Sequence, residues 1–175
     1  MTVFEKSGRL VLLFLCLALA ACVSTGAVQA SQPLTAPLTH KAVAFELSSA
    51  SAKLNEHEEP LKAALEEGFK EAGVFEKVGE PGDLTIKVTI AALDEGDETT
   101  RALNMGGEAE ITLEVEMVDT KGTVLSKLTV TGNSARQSET SIMGRNLKWA
   151  DKLTQRAVAA AVEQLVDYIK NAGEA

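Results

Sequence analysis

Residues 108–132 read EAEITLEVEMVDTKGTVLSKLTVTG, two alternating runs that are separated by a short turn. In the first run an apolar residue falls at every second position from Ala109 to Met117; the second run has Val124, Leu128 and Val130 at alternate positions, with Ser126 between the first two. Such alternation is typical of strands with one buried face. Lys121-Gly122 is the expected central pair of the turn, because glycine tolerates the positive φ that tight hairpins require. The stretch therefore predicts a β-hairpin.

The turn and the alternation together predict one register for this hairpin. Pairing Thr120 with Thr123 sets Met117 opposite Ser126, Val115 opposite Leu128 and Leu113 opposite Val130 on the inward face, and Glu116 opposite Lys127 on the outward face. A slip of one residue would set buried positions against exposed ones, so the alternation excludes it.

Outward from the hairpin, alternation predicts a strand over residues 42–47 and another over 84–92. Two acids and a proline at 58–60 favour the start of a helix, whose apolar residues recur at helical spacing until Gly73 stops it. A second helix with a continuous apolar face is predicted over residues 147–171.

The predicted fold class is α+β, a two-layer sandwich of order β-α-β-β-β-α. A right-handed crossover makes the first two strands parallel, and hairpins add the others antiparallel. We expect a four-stranded mixed sheet with both helices on one face and the other face exposed to water. A row of glutamates at 108–116 is interpreted as a solvated face balanced by Lys87 and Lys127, with a cation site or an acid/base pair as the alternative.

The N-terminal residues have the pattern of a bacterial secretory signal. Lys6 and Arg9 precede an uncharged run over residues 10–21, which is too short to span a bilayer as a stable helix. The following LAAC, residues 19–22, resembles the lipobox of bacterial lipoproteins, which implies acylation of Cys22 and cleavage before it. An incidental cysteine beside a cleaved signal is the alternative. Bulky residues precede Cys16, which departs with the signal.

We therefore expect a signal peptide over 1–21, the lipidated Cys22 with a flexible tether over 22–40, and a single periplasmic domain over 41–173. The tether composition, rich in Ser, Thr, Ala, Gln, Gly and Pro, is typical of segments that cannot bury enough apolar surface to order themselves. Fully extended, such a tether reaches roughly 60 Å. Val23, in place of the Asp that retains enterobacterial lipoproteins at the inner membrane, favours the outer membrane; the inner membrane and the cell surface are the alternatives.

Charge restricts the partners. The full chain has a formal net charge of -8, and removal of Glu5, Lys6 and Arg9 with the signal leaves -9. An acidic surface argues against nucleic acid and against charge-driven binding to anionic lipid, so the acyl chains must attach the protein to the bilayer. Cys22 is then the remaining cysteine, which excludes an internal disulfide and a thiolate metal site.

The sequence contains no recognisable catalytic motif. His40 and His57 lack metal-ligand spacing, and there is no G-x-S-x-G elbow, S-x-x-K pair or glycine-rich phosphate loop. The acidic turn at 94–98 lacks the spacing of an EF-hand. We predict no catalytic residue, no metal and no cofactor; a hydrolase or glycan-processing enzyme is the rival from another class.

Two long connections form the predicted partner-binding region. Residues 94–107 join the second and third strands and residues 133–146 leave the fourth, so an antiparallel order brings both to one sheet end. With the start of the last helix they carry residue types that are common at binding hot spots: Arg101, Leu103, Met105, Arg136, Ile142, Met143, Arg145 and Trp149. The alternative is that the apolar members close the open end of the core.

The stretch from Arg101 to Asp119, with Lys121-Gly122, the strand over 129–132 and the helix over 64–75, resembles small bacterial lipoproteins of an uncharacterised domain family. The element order is also similar to the lipoproteins of curli and Pel-type exopolysaccharide export and to the lipoprotein activators of penicillin-binding proteins. The resemblance implies action through protein contacts. We therefore expect a non-catalytic protein-interaction or envelope-assembly module with an envelope protein as partner. A homo-oligomeric subunit of an outer-membrane export ring is the alternative.

Overall fold

The computed structural model describes residues 28–96, 108–135 and 152–172. Over these residues the chain forms nine elements, which in chain order are β1 (Val28–Gln32), β2 (Ala42–Ser49), a 3₁₀ helix (Ala52–His57), α1 (Glu58–Ala72), β3 (Lys77–Val78), β4 (Leu84–Asp94), β5 (Glu110–Asp119), β6 (Val124–Asn133) and α2 (Lys152–Lys170). The predicted α+β class with one mixed sheet and two α-helices is confirmed.

The predicted count of four strands is wrong, because the described part of the chain already forms a sheet of six strands in the order β1-β6-β5-β4-β2-β3. The four predicted strands form its centre, with β2 parallel to β4 and the other central pairs antiparallel. The two additional strands lie at the edges. Their sequences carry no apolar alternation, so their place in the sheet is determined by the neighbour they pair with.

Strand β3 is only two residues long and pairs in parallel with the start of β2. The Lys77 N–H donates to the Lys41 carbonyl oxygen at 3.1 Å, and the Gly79 N–H donates to the Val43 carbonyl oxygen at 2.8 Å. These backbone bonds depend on chain geometry rather than on side-chain type, and period-two patterning therefore does not reveal β3.

Strand β1 lies within the segment that the composition assigned to a flexible tether over 22–40. Val28 pairs with Val130, and the two strands run antiparallel. Beyond the strand, the Leu34 N–H donates to the Tyr168 hydroxyl at 2.9 Å, and Leu34 and Leu38 pack against the core. Residues 28–40 are therefore part of the folded domain, since backbone pairing and a few anchoring contacts order a segment of low hydrophobicity.

The predicted hairpin register between β5 and β6 is confirmed. Met117 pairs with Ser126, Val115 with Leu128, Leu113 with Val130 and Glu116 with Lys127. The turn differs by one residue from the expectation: Asp119 pairs through its N–H with the Thr123 carbonyl oxygen, and the Gly122 N–H donates to the Asp119 carbonyl oxygen, both at 3.0 Å. An irregularity between Met117 and Val118 offsets this extra turn residue, so the inward faces still match.

Both helices contribute to a single hydrophobic cluster with the inward positions of the central strands. Helix α1 begins with Glu58 and Glu59 and ends at Gly73, whose φ of 62° lies in the left-handed region, as predicted. Its Phe69 ring packs edge-on against Phe45 of β2, with the ring centroids 5.2 Å apart. The core therefore lies between the helices and one face of the sheet.

Helix α2 approaches strand β6 most closely at Gly132. A Cβ atom there would clash with the Ala157 carbonyl oxygen and would lie 2.7 Å from the Ala161 Cβ. The alanines on this side of α2 are buried together with Gly132. Small residues on both partners thus allow the helix backbone to contact the sheet directly.

Candidate functional site

The first candidate surface is the sheet end at which β4 stops, β5 starts and β6 stops. Asp94 pairs with Glu110, and Glu110 pairs with Asn133, so the three strand termini are neighbours. The predicted convergence of the two long connections is therefore confirmed for the residues that flank them. We call this surface, composed of Asp94–Gly96, Glu108–Glu110 and Asn133–Ala135, the connection end.

Hydrogen bonds fix the connection end. The Ala109 N–H donates to the Ser134 Oγ, and the Ser134 N–H donates to the Ala109 carbonyl oxygen, both at 2.9 Å. Ser134 is only 4% exposed. The Asn133 amide also donates to the Glu108 carboxylate at 3.2 Å. These bonds hold the start of β5 against the end of β6.

The predicted partner-binding residues lie outside the described residues: Arg101, Leu103, Met105, Arg136, Ile142, Met143, Arg145 and Trp149. The predicted lipidation site, Cys22, also lies outside them. The strands that flank the two long connections, β4, β5 and β6, are described, and they form the connection end.

The second candidate surface is the sheet face that the helices leave uncovered, here called the open face. Glu46, Lys87, Glu116 and Lys127 lie in one register row across β2, β4, β5 and β6. Their charges alternate along the row, so each cross-strand neighbour has the opposite sign. Opposite charges at such positions favour the pairing that the sheet adopts.

Two ion pairs link this row. The Lys127 ammonium lies 2.6 Å from the Glu116 carboxylate, and the Lys87 ammonium lies 3.8 Å from the Glu46 carboxylate. The hydrogen bond from Lys127, with the positive charges of Lys127 and Lys87, lowers the pKa of Glu116 below its ordinary value. The prediction that the lysines balance the glutamate row is confirmed at Glu116. Exposed pairs of this kind stabilise a fold only slightly.

A depression of about 440 Å³ lies on the open face. Hydroxyl, ammonium and carboxylate groups line it, from Ser31, Ser48, Lys87, Thr89, Glu114, Glu116, Lys127 and Thr129. The Ser48 and Thr89 hydroxyls bond to each other at 2.9 Å. The depression offers hydrogen-bond donors and acceptors to a polar partner. Sequence reasoning assigned these residues to a solvated face, because alternation places them outward without showing that the twisted sheet forms a depression.

Within residues 28–96, 108–135 and 152–172, no three or more His, Cys, Asp and Glu side chains are grouped to hold a metal ion. In the same part of the chain, the helices are too short or too polar to cross a bilayer.

The family model for a domain of unknown function, DUF4410, matches residues 29–138, and the chain therefore belongs to the DUF4410 family. The match begins within β1, in agreement with the place of that strand in the domain. No curated protein matches this sequence.

Among solved structures, the chain is similar to a PelC dodecamer from Paraburkholderia phytofirmans, with a TM-score of 0.54, 11% identity, and coverage of 81% of this chain and 95% of that one. A DUF330-family protein from Xanthomonas campestris gives a TM-score of 0.46 at 15% identity, covering 82% and 86%. A minor lipoprotein from Acinetobacter baumannii gives 0.40 at 17% identity, covering 75% and 94%. The expected membership of an uncharacterised domain family and the similarity to a Pel-type fold are confirmed.

Proposed function

We propose that this member of the DUF4410 family is a lipid-anchored, non-catalytic envelope protein that acts through protein contacts on the periplasmic face of the outer membrane. The observation that carries the proposal is the fold it shares with PelC, a protein solved as an assembly of twelve copies. A fold by itself does not determine function. The open face presents paired charges and hydroxyl groups, which suit contact with a polar partner.

Anchoring is proposed to occur through Cys22. The LAAC sequence at 19–22 follows a charged and then apolar run, and Val23 follows the cysteine. Two or more acyl chains provide stable attachment where one chain provides only marginal binding. The acidic domain would add no attraction to anionic lipid.

The anchor is tested by fractionation and by mass spectrometry of the N-terminal peptide. We expect the wild-type protein in the membrane fraction with an acylated Cys22, and the Cys22→Ser variant as an uncleaved or soluble chain. Unchanged fractionation and processing of Cys22→Ser, with no acyl mass on the wild-type peptide, would contradict the proposal.

The partner is proposed to contact the residues of the two long connections. If so, Arg101→Ala, Ile142→Ala and Trp149→Ala impair function in cells and leave the thermal midpoint nearly unchanged, since hot-spot truncations act on the complex. If these residues close the core instead, the Ile142 and Trp149 variants lose about 2–5 kcal/mol of folding free energy. Loss of function that parallels loss of stability contradicts a binding role.

A ring of identical subunits in an outer-membrane export system is the second candidate function, and the dodecameric state of PelC is the observation that favours it. Light scattering of the mature chain with Cys22→Ala distinguishes a ring of identical subunits from a module that binds a different protein. A closed oligomer of high order supports the ring, whereas a monomer supports a module that binds a different protein.

A further inference from the structure

The path by which the chain enters the fold determines how an anchored domain is oriented. Val28 pairs with Val130, Gln29 with Thr129 and Ala30 with Leu128, so β1 runs antiparallel to β6. The N-terminal end of β1 therefore lies toward the C-terminal end of β6. That end of β6 belongs to the connection end, where Glu110 pairs with Asn133.

Hydrogen bonds hold strand β1 on β6 and so fix the place where the chain enters the domain. The Ser31 hydroxyl donates to the Lys127 carbonyl oxygen at 3.2 Å, and the Gln32 amide donates to the Val124 carbonyl oxygen at 3.0 Å. The buried Ser126 hydroxyl donates to the Gln32 carbonyl oxygen at 2.9 Å. Since side chains as well as backbone hold β1 on β6, the chain is attached to the domain from Val28 onward.

The segment between Cys22 and Val28 is short. Six Cα-to-Cα steps span at most about 22 Å when fully extended. This upper limit is far below the roughly 60 Å of a chain that stays free until residue 40.

The opposite end of the sheet lies about as far from Val28 as the segment between Cys22 and Val28 can span when fully extended. From Val130, which pairs with Val28, to Val124 at the start of β6 is six residues, or about 20 Å at the rise of a strand. The hairpin turn Asp119–Thr123 lies beyond Val124. A domain resting on this turn would hold Val28 more than about 20 Å above the bilayer, so the segment would have to be almost fully extended.

From this placement we infer that the connection end and Val28 face the bilayer, and that the hairpin turn Asp119–Thr123 points away from it. The inference rests on the proposed acylation of Cys22. Charge does not produce this orientation, because Asp94, Glu95, Glu108 and Glu110 at the connection end would be repelled by anionic lipid. The orientation follows from the short segment between Cys22 and Val28 and from the pairing of β1 with β6. Because both long connections leave the sheet at the connection end, a partner that contacts them would bind close to the bilayer.

The test measures energy transfer from the protein to the lipid surface. The acylated full-length lipoprotein is placed in phosphatidylcholine vesicles that contain an acceptor-labelled lipid. A donor dye is attached to a cysteine introduced by Ala135→Cys at the connection end or by Lys121→Cys in the hairpin turn; both positions are exposed. Acylation blocks the Cys22 thiol, so each variant carries one reactive thiol. We expect transfer from residue 135 to exceed transfer from residue 121 several-fold.

A longer segment provides the matched control. Insertion of a Gly/Ser stretch of roughly 18 residues between Ser24 and Thr25 should lower transfer from residue 135 and reduce the difference between the two positions. Equal or reversed transfer in the native chain would overturn the orientation, and so would a difference that the insertion does not change. Vesicle flotation separates the two proposals: a chain that does not float overturns the acyl anchor, whereas a floating chain with equal transfer overturns the orientation alone.

Discussion

Along β5, Leu113 is fully buried against the helices, whereas Glu114, the next residue, is exposed on the opposite face. The same contrast applies to the sheet as a whole. The inward face belongs to one apolar cluster, and the open face carries paired charges and hydroxyl groups around a shallow depression. Apolar burial on one face therefore stabilises the fold, while the open face can change its residues at little cost to stability.

The largest expected effect comes from truncating a buried side chain of β5. Leu113→Ala should destabilise the domain by about 2–5 kcal/mol, since it removes buried methyl groups and leaves a cavity. The matched control, Glu114→Ala, should stay within about 0.5 kcal/mol. Chemical denaturation of both variants measures the difference. Equal midpoints would show that the two faces contribute alike.

The contact between α2 and β6 is tested by Gly132→Ala. The added Cβ would meet the Ala157 carbonyl oxygen, which is backbone and cannot rotate away. We expect a loss of about 3 kcal/mol from overpacking. Thr131→Ala, on the adjacent residue, should have a much smaller effect in the same thermal unfolding experiment. A Gly132→Ala domain as stable as wild type would mean that α2 does not approach β6 this closely.

The turn is tested by Gly122→Val. Gly122 has a φ of 80°, and its missing Cβ would meet open space, so the cost comes from backbone conformation alone. We expect a loss of about 1–3 kcal/mol, because β-branched residues strongly disfavour positive φ. Thr123→Ala is the control and should cost much less. If denaturant midpoints of the two variants coincide, the assigned turn is incorrect.

The attachment of β1 is tested by Ser126→Ala. The Ser126 hydroxyl is fully buried on the inward face, donates to the Gln32 carbonyl oxygen and lies 3.2 Å from the Tyr168 hydroxyl. Its loss should cost about 1 kcal/mol. Amide exchange in β1 should also become faster. Ser48→Ala removes an exposed hydroxyl from the open face and should leave exchange in β1 unchanged; equal exchange in both variants would contradict the role of Ser126.

The smallest effect concerns Glu116 on the open face. Lys127→Met should raise the pKa of Glu116 toward its ordinary value, because the hydrogen bond from Lys127 is the main cause of its lowering. In the wild type, the lowered pKa means that the pair stabilises the fold above the carboxyl's unfolded pKa and loses this contribution as pH falls through the folded pKa. Carboxyl-carbon NMR titration measures the shift. An unchanged pKa in Lys127→Met would exclude Lys127 as its cause.

The central elements followed from local pattern. Alternation in β5 and β6 allowed only one register that keeps both faces consistent, and the structure has that register. The acids at the start of α1 and Gly73 at its end gave its limits to within a few residues. The convergence of the strand termini at the connection end followed from the antiparallel order alone. The candidate partner residues themselves lie outside the described residues and stay a prediction.

Only the tertiary structure decided the edges of the sheet and the position, Val28, from which the chain belongs to the folded domain. Residues 28–32 read VQASQ, which neither alternates in hydrophobicity nor contains a turn signal, and their composition matches that of the residues before them. They form a strand because β6 presents an unpaired backbone edge and Ser126 bonds to the Gln32 carbonyl oxygen. Side-chain periodicity shows which face of a strand is buried. Backbone pairing is open to almost any residue, so an edge strand can be identified only when the strand it pairs with is known.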